Sequence, residues 1–159
     1  MTPGARLLAV VEIINDIFLQ PIDDNFSSDK IIKNWVRNSR YAGSKDRKEI
    51  INNVFGIIKR YFSLDYIQKN NITLEKYSLE LTIIYFIFYG GGKASLTSRF
   101  DDGPYAIKMN ESIKGFIEKV STYNFDEIEF VKCALPDWLY AEFYESFKND
   151  VFKVCESFF

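Results

Sequence analysis

Histidine is absent from this chain of 159 residues. Its absence removes the most common general base, and with it every Ser-His or Cys-His pair that could activate a nucleophile. Only two cysteines occur, Cys133 and Cys155, and they are 22 positions apart. Two cysteines without any histidine are too few to predict a disulfide framework or a zinc site. Both thiols are expected to be small, reduced core residues.

Long hydrophobic runs are also absent. The most apolar stretch, from Leu79 to Tyr89, has 11 residues and includes Glu80, whereas a membrane-spanning helix needs about 20 residues. This stretch is therefore predicted to be a buried core helix. The first residues lack the charged start and the uninterrupted apolar run of a signal peptide. The chain is expected to be cytoplasmic, with no membrane partner.

Cofactor and metal motifs are missing as well. Gly90-Gly91-Gly92-Lys93 lacks the spacing of a phosphate-binding loop and is predicted to end a helix. No G-x-G-x-x-G segment lies between a strand and a helix, which excludes a dinucleotide fold. The acidic pairs Asp23-Asp24 and Asp101-Asp102 have no further ligands at suitable spacing and are predicted to form turns, so no metal is expected.

Apolar residues instead recur at helical spacing along nearly the whole chain. The length suffices for one domain with a hydrophobic core, and no strand-like alternation occurs. The sequence therefore predicts an all-α bundle of about seven helices. The first begins at Thr2-Pro3 and ends at Pro21, and the second is capped by Ser27 or Ser28. Further helices are predicted from Ser63, Thr73, Glu111, Pro136 and Val151, with a polar loop after the triglycine.

A third helix, from Lys45 to about Phe62, has the cleanest amphipathic pattern. Gly43-Ser44 is expected to break the chain and cap this helix. One face is predicted to be apolar: Ile50, Ile51, Val54, Phe55, Ile58, Tyr61 and Phe62. The opposite face is predicted to carry Lys45, Lys48, Asn52, Gly56 and Lys59. Gly56 permits close approach of another group, or is simply tolerated there.

Basic residues are concentrated in one segment. Residues 30 to 60 contain nine of the 20 Lys and Arg but only two acidic residues, Asp46 and Glu49, so the segment carries +7 and the remainder −9. Such segregation is typical of a surface that binds a polyanion, although a solvated helix surface is the alternative explanation. Asp46 and Glu49 are expected to cap the third helix.

The candidate RNA-binding residues surround the turn between the second and third helices. They are Arg37, Arg40, Tyr41, Ser44, Lys45, Arg47, Lys48 and Lys59. Arg37 and Arg40 would share one face if the second helix reaches that far, and a helix N-terminus beside cations favours phosphate. The Tyr41 ring could stack on an unpaired base or pack beneath the turn.

Three segments, in this order, resemble one family. They are Thr2-Pro3-Gly4-Ala5-Arg6, Arg40-Tyr41-Ala42-Gly43-Ser44-Lys45-Asp46-Arg47 and Leu135-Pro136-Asp137-Trp138-Leu139. The chain resembles the N-terminal region of the NOL/NOP/Sun (Fmu) ribosomal RNA cytosine-C5 methyltransferases, which is a NusB-like RNA-binding domain. The middle segment is the most specific, and from about Ser63 to Asp126 only the pattern matches.

The resemblance implies a division of labour. Residues 1–125 would form the NusB-like domain, which binds ribosomal RNA, and residues 126–159 would lead toward a methyltransferase domain that binds S-adenosylmethionine. Cys133 follows Lys132 and Cys155 follows Val154, so neither matches the Thr-Cys and Pro-Cys motifs of the family's catalytic cysteines. Because the chain ends where the family continues, we expect one domain expressed alone or a truncated product. It would need no cofactor and would not be an enzyme by itself.

Two other functions stay open. NusB-like bundles also bind proteins such as transcription or ribosomal factors, and the aromatic helices near Tyr85–Tyr89 or Trp138–Phe147 would then form the interface. The third possibility is an enzyme in its own right, for which binding of S-adenosylmethionine would be the indication.

Overall fold

Ten α-helices account for most of the residues that the computed structural model describes, which are 1–19, 27–124 and 128–159. They are α1 (Pro3–Leu19), α2 (Ser28–Asn38), α3 (Ser44–Lys59), α4 (Tyr61–Lys69), α5 (Tyr77–Phe88), α6 (Gly92–Thr97), α7 (Glu111–Ser121), α8 (Glu129–Lys132), α9 (Asp137–Phe147) and α10 (Val151–Glu156). A 3₁₀ turn over Lys148–Asp150 joins the last two. No strand occurs within these ranges, and the all-α prediction is confirmed.

Helix α5 is the centre of the bundle. Its residues from Ser78 to Phe86 are all buried, and α1, α3, α4, α6 and α7 pack around it. A helix that is apolar on every side can be stable in water only when it is enclosed in this way. The prediction of a buried core helix is therefore correct. Within the described ranges, no helix is both long and apolar enough to span a membrane.

One carboxylate lies inside this apolar helix. Glu80 is 1% exposed, and its carboxylate accepts hydrogen bonds from Gln68 Nε2 at 2.6 Å, from Thr73 Oγ1 at 2.7 Å and from the Leu74 backbone N–H. These donors replace the water that burial removes. Thr73, predicted to cap the helix, instead binds Glu80 from the preceding loop, and α5 begins four residues later at Tyr77.

Helix α3 is shorter than predicted and its faces differ. The helix ends at Lys59, and α4 starts at Tyr61 after Arg60 leaves helical geometry (φ −105°, ψ 14°). Phe55 and Phe62, predicted to point inward, are 38% and 45% exposed. Gly56, predicted on the polar face, is buried against the Tyr85 ring of α5. The prediction for Gly56 was wrong because Tyr85 of α5 packs on that side of α3, and Phe62 does not continue the apolar face of α3 because it belongs to α4.

The triglycine ends α5 as predicted, and Gly91 and Gly92 adopt φ values of 100° and 84° that favour glycine. The polar loop expected next is partly wrong, since α6 begins at Gly92 itself. Farther on, Asp101 accepts the backbone N–H groups of Gly103 and Gly4, both at 2.8 Å. This carboxylate forms a turn, as predicted, and also holds the loop against the start of α1.

The C-terminal helices form a second, smaller hydrophobic cluster. Cys133, Val151 and Cys155 are buried in it, as expected for both cysteines, and the thiols are free. Burial and a hydrogen bond with Cys155 raise the pKa of Cys133 to about 12, so its thiol is protonated and unreactive at neutral pH. Helix α9 has no buried residue. The predicted division at residues 125/126, like the predicted helix end at Pro21, lies outside the described residues.

Candidate nucleic-acid interface

The candidate residues surround a tight turn between α2 and α3. Helix α2 ends at Asn38 and α3 begins at Ser44, so Arg40 lies in the turn and does not share a helix face with Arg37. The condition for the two to share a helix face, that the second helix reaches Arg40, is therefore not met. Ser44 is the first residue of α3 rather than its cap; Gly43 occupies the cap position, and no side chain caps the helix.

The side chain of Arg47 binds the backbone of this turn. Its guanidinium donates to the backbone oxygens of Ser39 and Arg40, at 3.3 and 3.4 Å. The side chain is half-buried, and its Nε atom is buried without a hydrogen-bond partner. Arg47 therefore fixes the shape of the turn, and its charge is less available to a ligand than the sequence suggested.

The two acidic residues of the segment are bound by cations from elsewhere in the chain. Asp46 accepts the N-terminal ammonium of Met1 and Arg6 Nη1, both at 2.9 Å. Glu49 binds Arg6 Nε at 3.0 Å and Arg99 Nη1 at 2.6 Å. The hydrogen bonds from the ammonium and from Arg6 lower the pKa of Asp46. The expectation that Asp46 and Glu49 cap α3 was wrong: Asp46 joins α3 to Met1 and α1, and Glu49 joins α3 to α1 and to Arg99 after α6.

This pairing leaves the outer cations of the turn without partners. Arg40, Lys45 and Lys48 are exposed, and none of them forms an ion pair with any described residue. Arg37 is exposed too, and its hydrogen bond within the described part of the chain goes to the neutral side chain of Asn34, at 3.1 Å. Because neighbouring carboxylates are already occupied, the positive potential of this surface is not cancelled locally.

Lys59 and Tyr41 complete the predicted set at different distances from the turn. Lys59 is exposed at the far end of α3, about 16 Å along the helix axis from Lys48 and on nearly the same face. It extends the surface but does not join the cluster.

Tyr41 is 72% exposed, so the alternative in which its ring packs beneath the turn is wrong, and the ring is accessible for stacking.

Two of the segments that carry the family resemblance contact each other beside the turn between α2 and α3. Arg6 belongs to the first segment and Asp46 to the second, and their side chains form the ion pair described above. Sequence reasoning missed Arg6 and Arg99, because ionic partners 40 to 50 positions apart leave no periodic signal. It also missed Tyr105, which is 73% exposed in the loop after α6.

Alternative sites are not supported equally. The described residues contain no cluster of three or more His, Cys, Asp or Glu side chains placed to hold a metal ion, and Asp23-Asp24 lies outside them. Tyr85 and Phe86 are buried, at 8% and 1% exposure, so the Tyr85–Tyr89 segment does not offer the surface that the protein-interaction alternative requires. Helix α9 does offer one, since Trp138 is 70% exposed.

Comparison with protein-family models, with curated proteins and with solved structures finds no match for this chain.

Proposed function

We propose that this chain is an RNA-binding module that docks the phosphates of ribosomal RNA on the turn between α2 and α3. In keeping with the sequence resemblance, it would be the NusB-like, non-catalytic part of a cytosine-C5 methyltransferase, and the S-adenosylmethionine site would belong to a separate catalytic domain. One observation carries the proposal: Arg40, Lys45 and Lys48 are exposed and have no ionic partner among the described residues.

Partnerless cations are the groups that a polyanion can use at least cost. A phosphate approaching Arg40, Lys45 or Lys48 need not displace an existing intramolecular ion pair. Lys33, by contrast, is already bound to Asp29 at 2.6 Å. Arginine adds two-pronged contacts to phosphate oxygens, and lysine adds point charges. Phosphate contacts position a strand without reading its sequence, so binding through this surface alone is expected to be strong at low salt and weakly selective.

Salt-titrated binding of small-subunit ribosomal RNA fragments tests the proposal. Engagement of about four to six phosphates predicts that log affinity falls with log salt at a slope of roughly −3 to −4 for single strands. The triple variant Arg40→Ala/Lys45→Ala/Lys48→Ala should bind more weakly at low salt, with the slope reduced by about two. Arg47 is left unchanged because its replacement would open the turn.

A matched control removes the same charge from other helices. Lys114→Ala/Lys119→Ala/Lys153→Ala alters exposed lysines of α7 and α10 and should leave both the affinity and the slope close to the wild-type values. Circular dichroism and thermal melting establish that each variant is folded. If both triple variants lost the same amount of RNA affinity, binding would depend on net charge alone. That result would contradict a defined binding surface.

Protein binding through α9 is the second candidate. Helix α9 packs Tyr140 and Phe143 against the C-terminal cluster but has no buried residue, and it presents Trp138, Tyr144 and Phe147 at 70%, 44% and 42% exposure. Such an aromatic surface is typical of sites that bind protein partners. Failure of the wild type to bind RNA even at low salt, with the fold intact, would favour this function over the first.

A further inference from the structure

An open groove lies beside the basic turn. Its volume is about 650 Å³, and it is lined by the outer face of α1 from Ala5 to Glu12, by Tyr41, and by Pro104 and Tyr105 of the loop after α6. This volume is within the range of sites that hold small organic ligands. Hydrogen bonds from Gly4 and Gly103 to Asp101 hold the loop that carries Pro104 and Tyr105 against the start of α1.

Two aromatic rings border this groove without intramolecular partners. Tyr41 and Tyr105 are 72% and 73% exposed, and neither ring stacks on another ring or on a cation among the described residues. Tyrosines usually bury part of the ring, and a pair this open at one cavity is a ready platform for a planar ligand. A nucleobase stacked on an aromatic side chain typically strengthens binding by roughly 5- to 150-fold.

The charges around the groove indicate what the planar ligand is attached to. Tyr41 follows the partnerless Arg40 directly in the chain and precedes Lys45 by four residues. A strand whose phosphates lie on Arg40, Lys45 and Lys48 would therefore carry its bases past the rim of the groove. A base still paired in a duplex could not enter, because its faces are already stacked. A single unpaired nucleotide satisfies both the charge and the shape.

One carboxylate determines which base fits best. Among the described residues that line the groove, Glu12 is the only acidic one. Burial, and then the neighbouring Asp16, raise the pKa of this carboxyl, although the side chain remains exposed at the groove. An ionised carboxylate only accepts hydrogen bonds. Guanine presents two adjacent donors on one edge, N1–H and N2–H, whereas adenine, cytosine and uracil each present a donor beside acceptors.

We propose that this groove binds one unpaired base of the docked RNA, stacked against Tyr41 and Tyr105, with Glu12 favouring guanine. The inference rests on the proposed function, since it assumes that the phosphates of the strand occupy the basic turn. It adds a base-selective site to a surface that would otherwise read only charge.

The test uses synthetic strands in which phosphate charge is constant. One is a ten-residue ribose–phosphate strand that is abasic at every position, and the others carry a single central guanosine, inosine or uridine. Affinity is measured by fluorescence anisotropy at low salt. The wild type should bind the guanosine strand roughly 5- to 150-fold more tightly than the abasic strand. Inosine, which lacks the N2 amino group, should bind more weakly than guanosine.

Matched variants assign the gain to the groove. Tyr105→Ala should abolish the advantage of guanosine over the abasic strand, while Tyr105→Phe should retain it because the ring remains. Glu12→Gln should reduce the guanosine-over-inosine preference, since an amide cannot accept both donors. Both side chains, Tyr105 and Glu12, are exposed, so the three variants should fold, and circular dichroism checks this.

The outcomes separate the groove from the phosphate surface. Salt-dependent binding of the abasic strand tests the basic turn alone. Equal affinity for abasic and guanosine strands would overturn the groove and leave the proposed function standing. A guanosine advantage that survives Tyr105→Ala would also overturn the groove, because the base would bind elsewhere. No binding of any strand would overturn both.

Discussion

Gly56 lies where helix α3 packs against Tyr85 of the central helix. A Cβ built at this position would lie 2.6 Å from Cζ of Tyr85, and the Tyr85 ring, 8% exposed, has little room to move. From the sequence alone, the same glycine is predicted to lie on the polar face, either to permit close approach of another group or as a neutral variation. Only the packing shows that its missing side chain is what allows α3 and α5 to approach.

Gly56→Ala is expected to destabilise the protein by a net amount of about 1 kcal/mol. Overpacking costs about 1–3 kcal/mol, and the better helix propensity of alanine returns about 1 kcal/mol. Chemical denaturation measures the change in the free energy of unfolding. Gly115→Ala is the matched control: this glycine of α7 has no atom within 4 Å of the added Cβ, so the same change should stabilise by about 1 kcal/mol. Stabilisation by both variants would show that the Tyr85 contact is unimportant.

Residue type alone does not show which cations of the basic segment are available to a ligand. Lys45, Arg47 and Lys48 look equivalent in the sequence, yet Arg47 binds backbone oxygens of the turn while the two lysines are exposed. The structure places exposed cations around the predicted turn, and their role in binding RNA stays a prediction. Which members are available to a ligand depended on the path of the backbone between Ser39 and Gly43, which residue type does not encode.

At the scale of elements, Asp101 connects the loop after α6 to the first turn of α1. Its carboxylate accepts the Gly103 and Gly4 N–H groups, at 2.8 Å each, and these two bonds lower its pKa from the usual 3.8. A carboxyl whose pKa is depressed in the folded state stabilises the protein above its unfolded pKa, and that contribution is lost as the pH falls through the folded value.

Asp101→Asn should therefore weaken the dependence of the melting temperature on pH in the acidic range. The variant is expected to melt below the wild type at neutral pH, and the difference should shrink as the pH falls below 3.8, where the carboxylate of the wild type becomes protonated. Thermal melting monitored by circular dichroism from about pH 7 to about pH 3 measures both curves. Parallel curves over this whole range would mean that the ionised form of Asp101 contributes nothing to the junction.

Element boundaries were predictable where glycine and proline mark them, and less so elsewhere. Pro3 begins α1 and Gly90-Gly91 ends α5, as the sequence indicated. The break at Arg60 has no such marker. There, Arg60 leaves the helix with its guanidinium 4.5 Å from the ring centres of both Tyr89 and Phe159. These contacts come from residues distant in sequence, so tertiary packing, and not local propensity, accompanies the break.

For the molecule as a whole, local stability should decrease from the central helix toward the C-terminal one. Helix α5 is enclosed by five others, whereas α9 contacts mainly α10 and the 3₁₀ turn and has no buried residue. Its described polar link to the preceding helix is the hydrogen bond from Tyr140 to Glu129, at 2.6 Å. Regions with few buried apolar contacts open with a smaller free energy than the core.

Hydrogen–deuterium exchange should show this order directly. Amides of α5 are expected to exchange only through global unfolding, and amides of α9 to exchange first among the longer helices, because their opening exposes little apolar surface. Mass spectrometry of peptic fragments at several protein concentrations resolves the two helices. Protection of α9 that equals that of α5 would contradict this order, and a rise in protection with concentration would identify self-association through its aromatic face.

The sequence by itself determined the helical class, several helix starts, and the segment in which positive charge accumulates, whereas it missed α6 and α8 and so predicted about seven helices where the described residues form ten. Those properties follow from local periodicity, capping chemistry and composition, which are written in neighbouring residues. The tertiary structure alone decided which charges are neutralised and which side chains share a cavity. Asp46 and Glu49 find Arg6 and Arg99 across 40 to 50 positions, and Tyr41 meets Tyr105 at one groove. Such pairings depend on where distant helices lie in space, and no local pattern specifies that.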